Sequence, residues 1–252
     1  MVFFYLQSMK EELHIFGIRA VLEALEAGKT PEKILVRKDL TGNLFRQLQE
    51  AAKKHNMSLT VVPPERFRRF ESRNHQGVVA VLSPITYREH TALIDETLAR
   101  DKAPLFLLLD GVSDVRNLGA IIRTAECAGV SGLFLPASGS APVSADTIKT
   151  SAGAAFNLPI ARSPHLKDVV YYLQASGVRL VAATEKAEST LYEADLTGPL
   201  AVIMGSEDRG IHPSLLKLCD IRARLPMQGS IESLNVSVAC GVFLFEAQRQ
   251  RG

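Results

Sequence analysis

Two rhythms of apolar and polar residues run along this chain. In "GIRAVLEALEAG" (17–28) the apolar side chains return every third or fourth residue, which predicts an amphipathic helix stopped by Gly28. "KILVRK" (33–38), "LTVVP" (59–63) and "GVVAVLS" (77–83) are short apolar runs of strand length. "NLFRQLQEAAKKHN" (43–56) predicts a second helix with Asn43 as N-cap and Asn56 near its end, and "PERFRRFE" (64–71) a third opened by proline. Together they predict a small α/β domain over residues 9–83. Residues 1–8 read as an extension ahead of a natural start at Met9. "PITYREHTALIDETLARDKAP", bounded by prolines with a charged helix in its middle, reads as a linker over 84–104.

Residues 105–252 form a regular series. "LFLLLDGV" (105–112) opens with a run of apolar residues, as a strand covered on both faces requires. A helix over 117–128 follows, then strand "GLFLPA", helix "SADTIKTSAGAAF", strand "LPIARS" and helix "PHLKDVVYYLQASG". Strands "VRLVAAT" and "LAVIMGSE", a short helix after Pro213, strand "IRARLPM" and a last helix complete it. Alternating strands and helices predict a parallel, doubly wound sheet. The last helix breaks the usual rule. From Leu234 to Phe245 only Asn235 and Ser237 are polar, so this helix has no wet face before Glu246.

Composition permits one large domain or two modest ones: 252 residues, 46% hydrophobic and 22% charged. No stretch is long and apolar enough for a bilayer, and "MVFFYLQS" lacks the basic start of a signal peptide, so the expectation is a cytoplasmic protein. Cys127, Cys219 and Cys240 form no Cys-x-x-Cys pair and read as buried small hydrophobes in a reducing compartment. The six histidines are scattered, and no metal is expected. The net charge of +2 is uneven: residues 1–83 carry 13 Lys/Arg against 9 Asp/Glu, residues 84–252 carry 16 against 18. The first part is therefore the one suited to a polyanion.

The turn after the first strand of the series, "DGVSDVRNLG", has bulky residues where a dinucleotide fold needs Gly-x-Gly-x-x-Gly. "GSEDRG" has the glycine gap of a P-loop, but His212 and Pro213 follow it instead of Lys-Ser/Thr. Dehydrogenase and nucleotide-hydrolysis chemistry are disfavoured. Three pieces remain. Asn117 opens a helix whose stripe is Leu118, Ile121, Ile122, Ala125 and Gly129, with Arg123 off that stripe. Gly205 and Glu207 follow a buried strand, and Ser233 and Asn235 precede the last helix. Taken singly, each has an ordinary reading as an N-cap, a tight turn or a solvated side chain.

Together, in order and spacing, the pieces resemble the three motifs of the SpoU/TrmH family within the SPOUT superfamily of RNA ribose 2′-O-methyltransferases. Asn117 to Ala125 resembles "N-x-G-x-x-x-R-T-A", Gly205 to Gly210 resembles "G-S-E-x-x-G", and Pro226 to Ala239 resembles "P-M-x-G-x-x-x-S-L-N-V-S-V-A". The resemblance covers 105–252. "IFGIRAVLEAL" and "HQGVVA" are similar to the substrate-binding domain of the bacterial members that methylate a guanosine of 23S rRNA.

The resemblance implies a deep trefoil knot in the parallel-sheet domain, a homodimer, and S-adenosylmethionine bound in the knot. It implies Gly205, Leu225 and Leu234 at the cofactor, with Leu225 where isoleucine is usual. It implies Asn117, Arg123, Glu207, Ser233 and Asn235 at the active site. The family assigns Arg123 the part of base. A guanidinium with a pKa above about 12 is a poor one, so the expectation is a clamp on an RNA phosphate, with that phosphate or a transiently neutral guanidine taking the proton. Arg66, Arg68, Arg69 and Arg73 are expected to contact RNA phosphates, with Phe67 and Phe70 in the core. Ribosomal RNA is the expected substrate and transfer RNA the alternative. A non-catalytic relative would be expected to lack Asn117, Arg123 or Asn235. The last helix would then be covered by its own domain on one side and by a second subunit on the other.

Overall fold

A computed structural model of the chain describes residues 14–252 except 30, 56, 58, 231 and 232. The chain divides into two compact units, one formed by residues up to Pro84 with Pro142–Ala145, the other by Ile85–Ala141 and Asp146–Gly252. The proposed extension 1–8, the start at Met9 and the helix end at Asn56 lie outside the described residues.

The first unit is a four-stranded sheet in the order β1-β4-β2-β3, built from β1 (His14–Phe16), β2 (Pro31–Arg37), β3 (Leu59–Val62) and β4 (Val78–Leu82). Helices α1 (Ile18–Glu26) and α2 (Asn43–Lys54) pack together, and their Ile18, Val21, Leu25 and Leu48 bury against Ile34, Val36, Val78 and Ala80. Helix α1 closes as expected: Gly28 takes φ 74°, and Gly28 N–H and Lys29 N–H bond back to Leu25 O and Ala24 O. Helix α2 differs from expectation. Gly42 is its N-cap, at φ 107°, and Asn43 is its first helical residue, so Asn43 caps nothing. On the other face of the sheet, a 3₁₀ helix, Pro64–Phe70, presses Phe67 and Phe70 onto Leu35 and Val79. A three-residue period puts Phe67 and Phe70 on one side and leaves the arginines between them outside.

The second unit is a six-stranded parallel sheet in the order β10-β8-β9-β5-β6-β7. Its strands are β5 (Leu105–Asp110), β6 (Gly132–Pro136), β7 (Ile160–Ser163), β8 (Arg179–Ala183), β9 (Leu200–Gly205) and β10 (Ile221–Ala223). The expected α/β class and parallel sheet are therefore present. The supposed linker is not a linker. Residues 90–98 are helix α3 (His90–Leu98), whose Leu93 and Ile94 are buried beside Phe106, Phe134 and Leu173 in the core of this unit. Arg88 N–H bonds Ile160 O, Arg88 pairs with Glu96 (2.8 Å), and the Tyr172 hydroxyl bonds Asp95 (2.8 Å). Leu93 and Ile94, with Leu98 packed on the same core, bind a helix whose other side chains are polar or small.

The first helix of the series also starts earlier than expected. Helix α4 is Val115–Cys127, capped by Asp114, whose carboxylate accepts from Arg116 N–H (2.8 Å) and Asn117 N–H (2.9 Å). Leu118, Ile121, Ile122 and Ala125 are buried as the stripe requires, but Gly129 lies beyond the helix and is exposed. The segment 144–156 is broken into α5 (Ala145–Thr150) and a 3₁₀ turn Ala154–Phe156, because Ala152 and Gly153 both take positive φ, 52° and 88°. Gly119 faces Thr150 at a distance that leaves no room for a Cβ: one added there would overlap the Thr150 hydroxyl and stand 2.6 Å from its Cβ. Helices α6 (Leu166–Ala175) and α7 (Pro213–Leu216) cover the same face as α3. Burial pushes the Cys240 thiol up to about 12 and the Cys219 thiol up to about 11, which suits inert small hydrophobes. Cys127 departs from that reading. It ends α4 and is exposed.

The last helix, α8 (Val236–Arg251), packs on α4 and β9 through Val236, Cys240, Phe243, Leu244 and Ala247. Its far end is fastened to the backbone. Gln250 accepts from Leu196 N–H and donates to Ala194 O, and Arg251 donates to Leu196 O, Gly198 O and Ala103 O. Glu246, where a polar face was expected to begin, is buried instead. Hydrogen bonds from Arg249 (2.7 and 2.8 Å), then Gln250 (2.8 Å), hold its carboxyl down at about 2 against the opposing effect of burial. The folded value lies below the ordinary one of 4.5, so this stabilisation is complete above about 4.5 and is lost as pH falls towards about 2. The melting-temperature gap between the wild type and Glu246→Gln is expected to narrow over that window. A calorimetric pH series measures it, and a constant gap would contradict the assignment.

Candidate active site at the carboxyl ends of strands β8 and β9

Strand β9 ends at Gly205, beside Asp110 at the end of β5. The chain then makes a tight loop: Ser206 and Gly210 exchange backbone hydrogen bonds (2.9 and 3.2 Å), and Ser206 Oγ accepts from Arg209 N–H. The loop folds back so closely that a Cβ at Gly205 would overlap the Gly210–Ile211 peptide, so only glycine fits. Asp110 fixes the loop from the neighbouring strand by accepting from His212 N–H (2.7 Å).

Glu207, at the tip of this loop, joins the three distant segments. Its Oε1 accepts from Asn117 Nδ2 (3.1 Å), Asn235 Nδ2 (2.7 Å) and Val236 N–H (3.4 Å). Asn235 Nδ2 also donates to Asn117 Oδ1 (3.0 Å). The orientation of the Asn235 amide follows from its other end. As N-cap of α8, its Oδ1 accepts from Ser237 N–H (3.0 Å), which leaves the amino group for Glu207 and Asn117. A carboxylate beside the first N–H groups of α8 is also favoured by the helix dipole. Charge-assisted bonds to a carboxylate are the stronger kind, so Glu207 sets the relative position of both asparagines.

Beside this junction lies a cleft of about 520 Å³ over the carboxyl ends of β8 and β9, where ligands of open α/β sheets bind. Gly205, Leu225 and Leu234, the three residues expected at a cofactor, all line it, as do Glu207, Ser233 and Asn235. Met227, Val236 and Phe243 add apolar wall. Thr184, Glu185 and Lys186, which follow β8, were missed in the sequence. The available signal was their place just after a buried strand, but only the strand order puts that end next to Gly205. Asp114 was missed as well, although an aspartate three residues before Asn117 is an ordinary capping signal.

Arg123 is not brought into this cleft. It is exposed further along α4 and is absent from the cleft lining, whereas Asn117 reaches the junction. In the first unit Arg66, Arg68, Arg69 and Arg73 are all exposed, and Phe67 and Phe70 are buried. The Arg69 guanidinium lies 4.5 Å over the Phe70 ring. Among the described residues no group of three or more His, Cys, Asp or Glu side chains is placed to hold a metal ion, and no helix is long and apolar enough to cross a membrane.

Known proteins resemble this chain in sequence and fold. Residues 14–88 match the family described as RNA 2′-O ribose methyltransferase substrate binding. The chain is 40% identical over 248 residues to the 23S rRNA (guanosine-2′-O-)-methyltransferase RlmB of Shewanella oneidensis, which covers 96% of this chain and 99% of that protein. It is 36% identical to the protein of the same name from Vibrio vulnificus, over 94% of this chain and 96% of the relative. Among solved structures, the SpoU methyltransferase AviRb of Streptomyces viridochromogenes in complex with the cofactor AdoMet is similar at 26% identity, with a TM-score of 0.60, covering 94% of this chain and 89% of the other. The AdoMet-bound rRNA methyltransferase of Sinorhizobium meliloti is similar at 28% identity and a TM-score of 0.61, covering 94% and 87%. With residues 104–245 matching the SpoU rRNA Methylase family, over the sheet and the three segments that meet at Glu207, the chain belongs to that family.

Proposed function

We propose that this chain transfers a methyl group from S-adenosylmethionine to the 2′-hydroxyl of a guanosine ribose in 23S rRNA, in the cytoplasm. The observation that carries this reading is the meeting of Asn117, Glu207 and Asn235 beside a cleft lined by Gly205, Leu225 and Leu234. The cleft suits the cofactor in shape and charge. Gly205 lets backbone approach a ligand, Leu225, Leu234 and Met227 supply apolar walls, and carboxylates (Glu185, Glu207, Asp208) stand with cations (Lys186, Arg209, Arg224) for a ligand carrying both signs.

When bound, S-adenosylmethionine supplies an electrophilic methyl group on a sulfonium, an activated leaving group that needs no metal. Glu207 orients: its Oε1 already accepts three N–H groups, so it holds Asn117 and Asn235 in place rather than removing a proton. The two asparagines and Ser233 then face ribose or phosphate at the rim. Positioning of this kind supplies a large part of a barrier reduction without a strong base. Arg123 stands outside the cleft lining, so it acts where the RNA crosses α4 or where a second subunit's cleft opens onto it. There it clamps a phosphate, and that phosphate or a transiently neutral guanidine takes the 2′-hydroxyl proton. The exposed Arg66, Arg68, Arg69 and Arg73 hold RNA phosphates in the first unit.

A homodimer and the family's deep knot belong to the same reading. On the outer side of α8, Val238 and Phe245 are each 53% exposed, and Leu234 just before it is 42% exposed. A second subunit across this side would leave α8 dry all round. What supports a knot is the burial of α8 against α4 and β9 with its end bonded to residues 194–198.

Calorimetric titration of the purified chain with S-adenosylmethionine is expected to show binding that EDTA leaves unchanged and that Gly205→Ala removes. Chelator-sensitive binding would sink this account of the cleft.

Arg123→Ala is expected to lose methyl transfer to rRNA at least ~100-fold while cofactor affinity and melting temperature stay near the wild type. Arg123→Lys should fail too, for want of the planar fork. Tritium transfer from labelled cofactor measures both, and near-normal turnover in either variant would mark Arg123 as a merely solvated side chain.

Phe245→Asp is expected to give a folded monomer, because Phe245 points outward, whereas Phe243→Asp should unfold the chain. Each large apolar side chain removed from water at the interface contributes ~1.5–3 kcal/mol. Light scattering at micromolar concentration decides, and a monomeric wild type would contradict the dimer.

A further inference from the structure

The first unit has a second depression, of about 250 Å³, on the face that carries the 3₁₀ helix Pro64–Phe70. Its lining combines two guanidinium groups, Arg37 and Arg68, two carboxylates, Glu65 and Glu71, and the rings of Phe67 and His75. The ring of His75 is half-buried and lies 4.9 Å from the buried Phe67 ring, at 36°. Its Nδ1 accepts from Gly77 N–H (3.0 Å), so the neutral ring carries its hydrogen on Nε2. The turn that holds it is unusual: Gln76 takes φ 47° and Gly77 φ 77°, two successive left-handed residues of which only one is glycine. A side-chain residue held in that region points to function. Asp39 takes the Nε hydrogen of Arg37 (2.6 Å), which leaves the terminal amino groups of that guanidinium as donors.

We infer that this depression binds one unstacked guanosine nucleotide of the RNA substrate, a different nucleotide from the one whose ribose is methylated. The inference rests on the rRNA reading above and adds a base-specific subsite to it. Single-stranded RNA is recognised by stacking bases on aromatic or histidine rings and bonding their Watson–Crick edges. His75, backed by Phe67, is such a platform, and Arg37 and Arg68 meet the phosphate. The carboxylates select the base. Guanine alone presents two adjacent donors, N1–H and the 2-amino group, that a carboxylate accepts together. Adenine, cytosine and uracil each set an acceptor beside their donor, which a carboxylate repels.

The test uses the full chain and two labelled single-stranded RNAs, hexauridylate and the same hexamer with one guanosine. Fluorescence anisotropy of the wild type is expected to show ~fivefold or greater preference for the guanosine RNA, and Glu65→Gln with Glu71→Gln to reduce it below ~twofold. His75→Ala is expected to weaken binding of the guanosine RNA ~10-fold, and His75→Phe, which keeps the stacking face, to bind within ~twofold of the wild type. With a 23S rRNA fragment, His75→Ala should raise the KM for RNA and leave kcat within about twofold of the wild type, as a subsite that touches no reacting atom requires. Equal binding of the two RNAs by the wild type, or full affinity in His75→Ala, overturns the inference. If His75→Ala fails to fold, the carboxylate pair and His75→Phe still decide it. Failure of the enzymatic reading shows separately, as absence of methyl transfer by the wild type, because the hexamer measurements do not depend on transfer.

Discussion

The meeting of three distant segments in this molecule depends on one carboxylate oxygen. Glu207 Oε1 draws together an amide from the first turn of α4, an amide from the cap of α8 and the first free N–H of α8. Each of these donors would be satisfied by water if the loop after β9 were elsewhere. The loop stands where it does because Gly205 has no side chain and because Asp110 holds His212 from the adjacent strand. Sheet order, glycine and carboxylate thus form one chain of cause: parallel strands β5 and β9 bring two loops together, and Glu207 locks the third segment onto them.

The candidate site was legible in the sequence to an unusual degree because its geometry is local in three places. A glycine after a buried strand, a polar pair before an apolar helix and an asparagine in a helix's first turn each follow from a few neighbouring residues. The alternatives left open for each piece were also partly right, since Asn235 is an N-cap as well as a member of the junction. Relations between distant residues were not legible. Nothing in the spacing of Thr184, Glu185 and Lys186 says that β8 lies beside β9. Arg123 was correctly placed off the buried stripe, but its stripe could not reveal that it stays outside the cleft of its own chain. Helix α3 was read as part of a linker because prolines bound the segment and charges surround it, while Leu93 and Ile94, with Leu98 beside them, carry it into the core of the second unit.

The last helix shows how two incompatible demands are met by one segment. Its inner face must match the packing of α4, and its outer face carries valine and phenylalanine into water in the single chain. Patches of that kind are uncommon on proteins that remain single. After Ser237 in the first turn, polar side chains on this helix come only at its end, where Glu246, Gln250 and Arg251 are used to secure it rather than to solvate it.

Glu207 bridges positions 90 residues apart towards Asn117 and 28 towards Asn235, and Asn117 and Asn235 are themselves 118 apart. Contacts so distant in sequence form only after long loops have closed, which is slow and comes late in folding. A partly folded chain can therefore hold most of its parallel sheet and still have no junction. In the folded protein the same feature works in reverse. Detachment of the start of α8 removes two of the three donors at once, while the sheet beneath keeps its hydrogen bonds. Local opening of this kind requires less free energy than global unfolding. Mild denaturation would thus separate two properties that are usually lost together: the capacity to act disappears while spectroscopic measures of the sheet remain native.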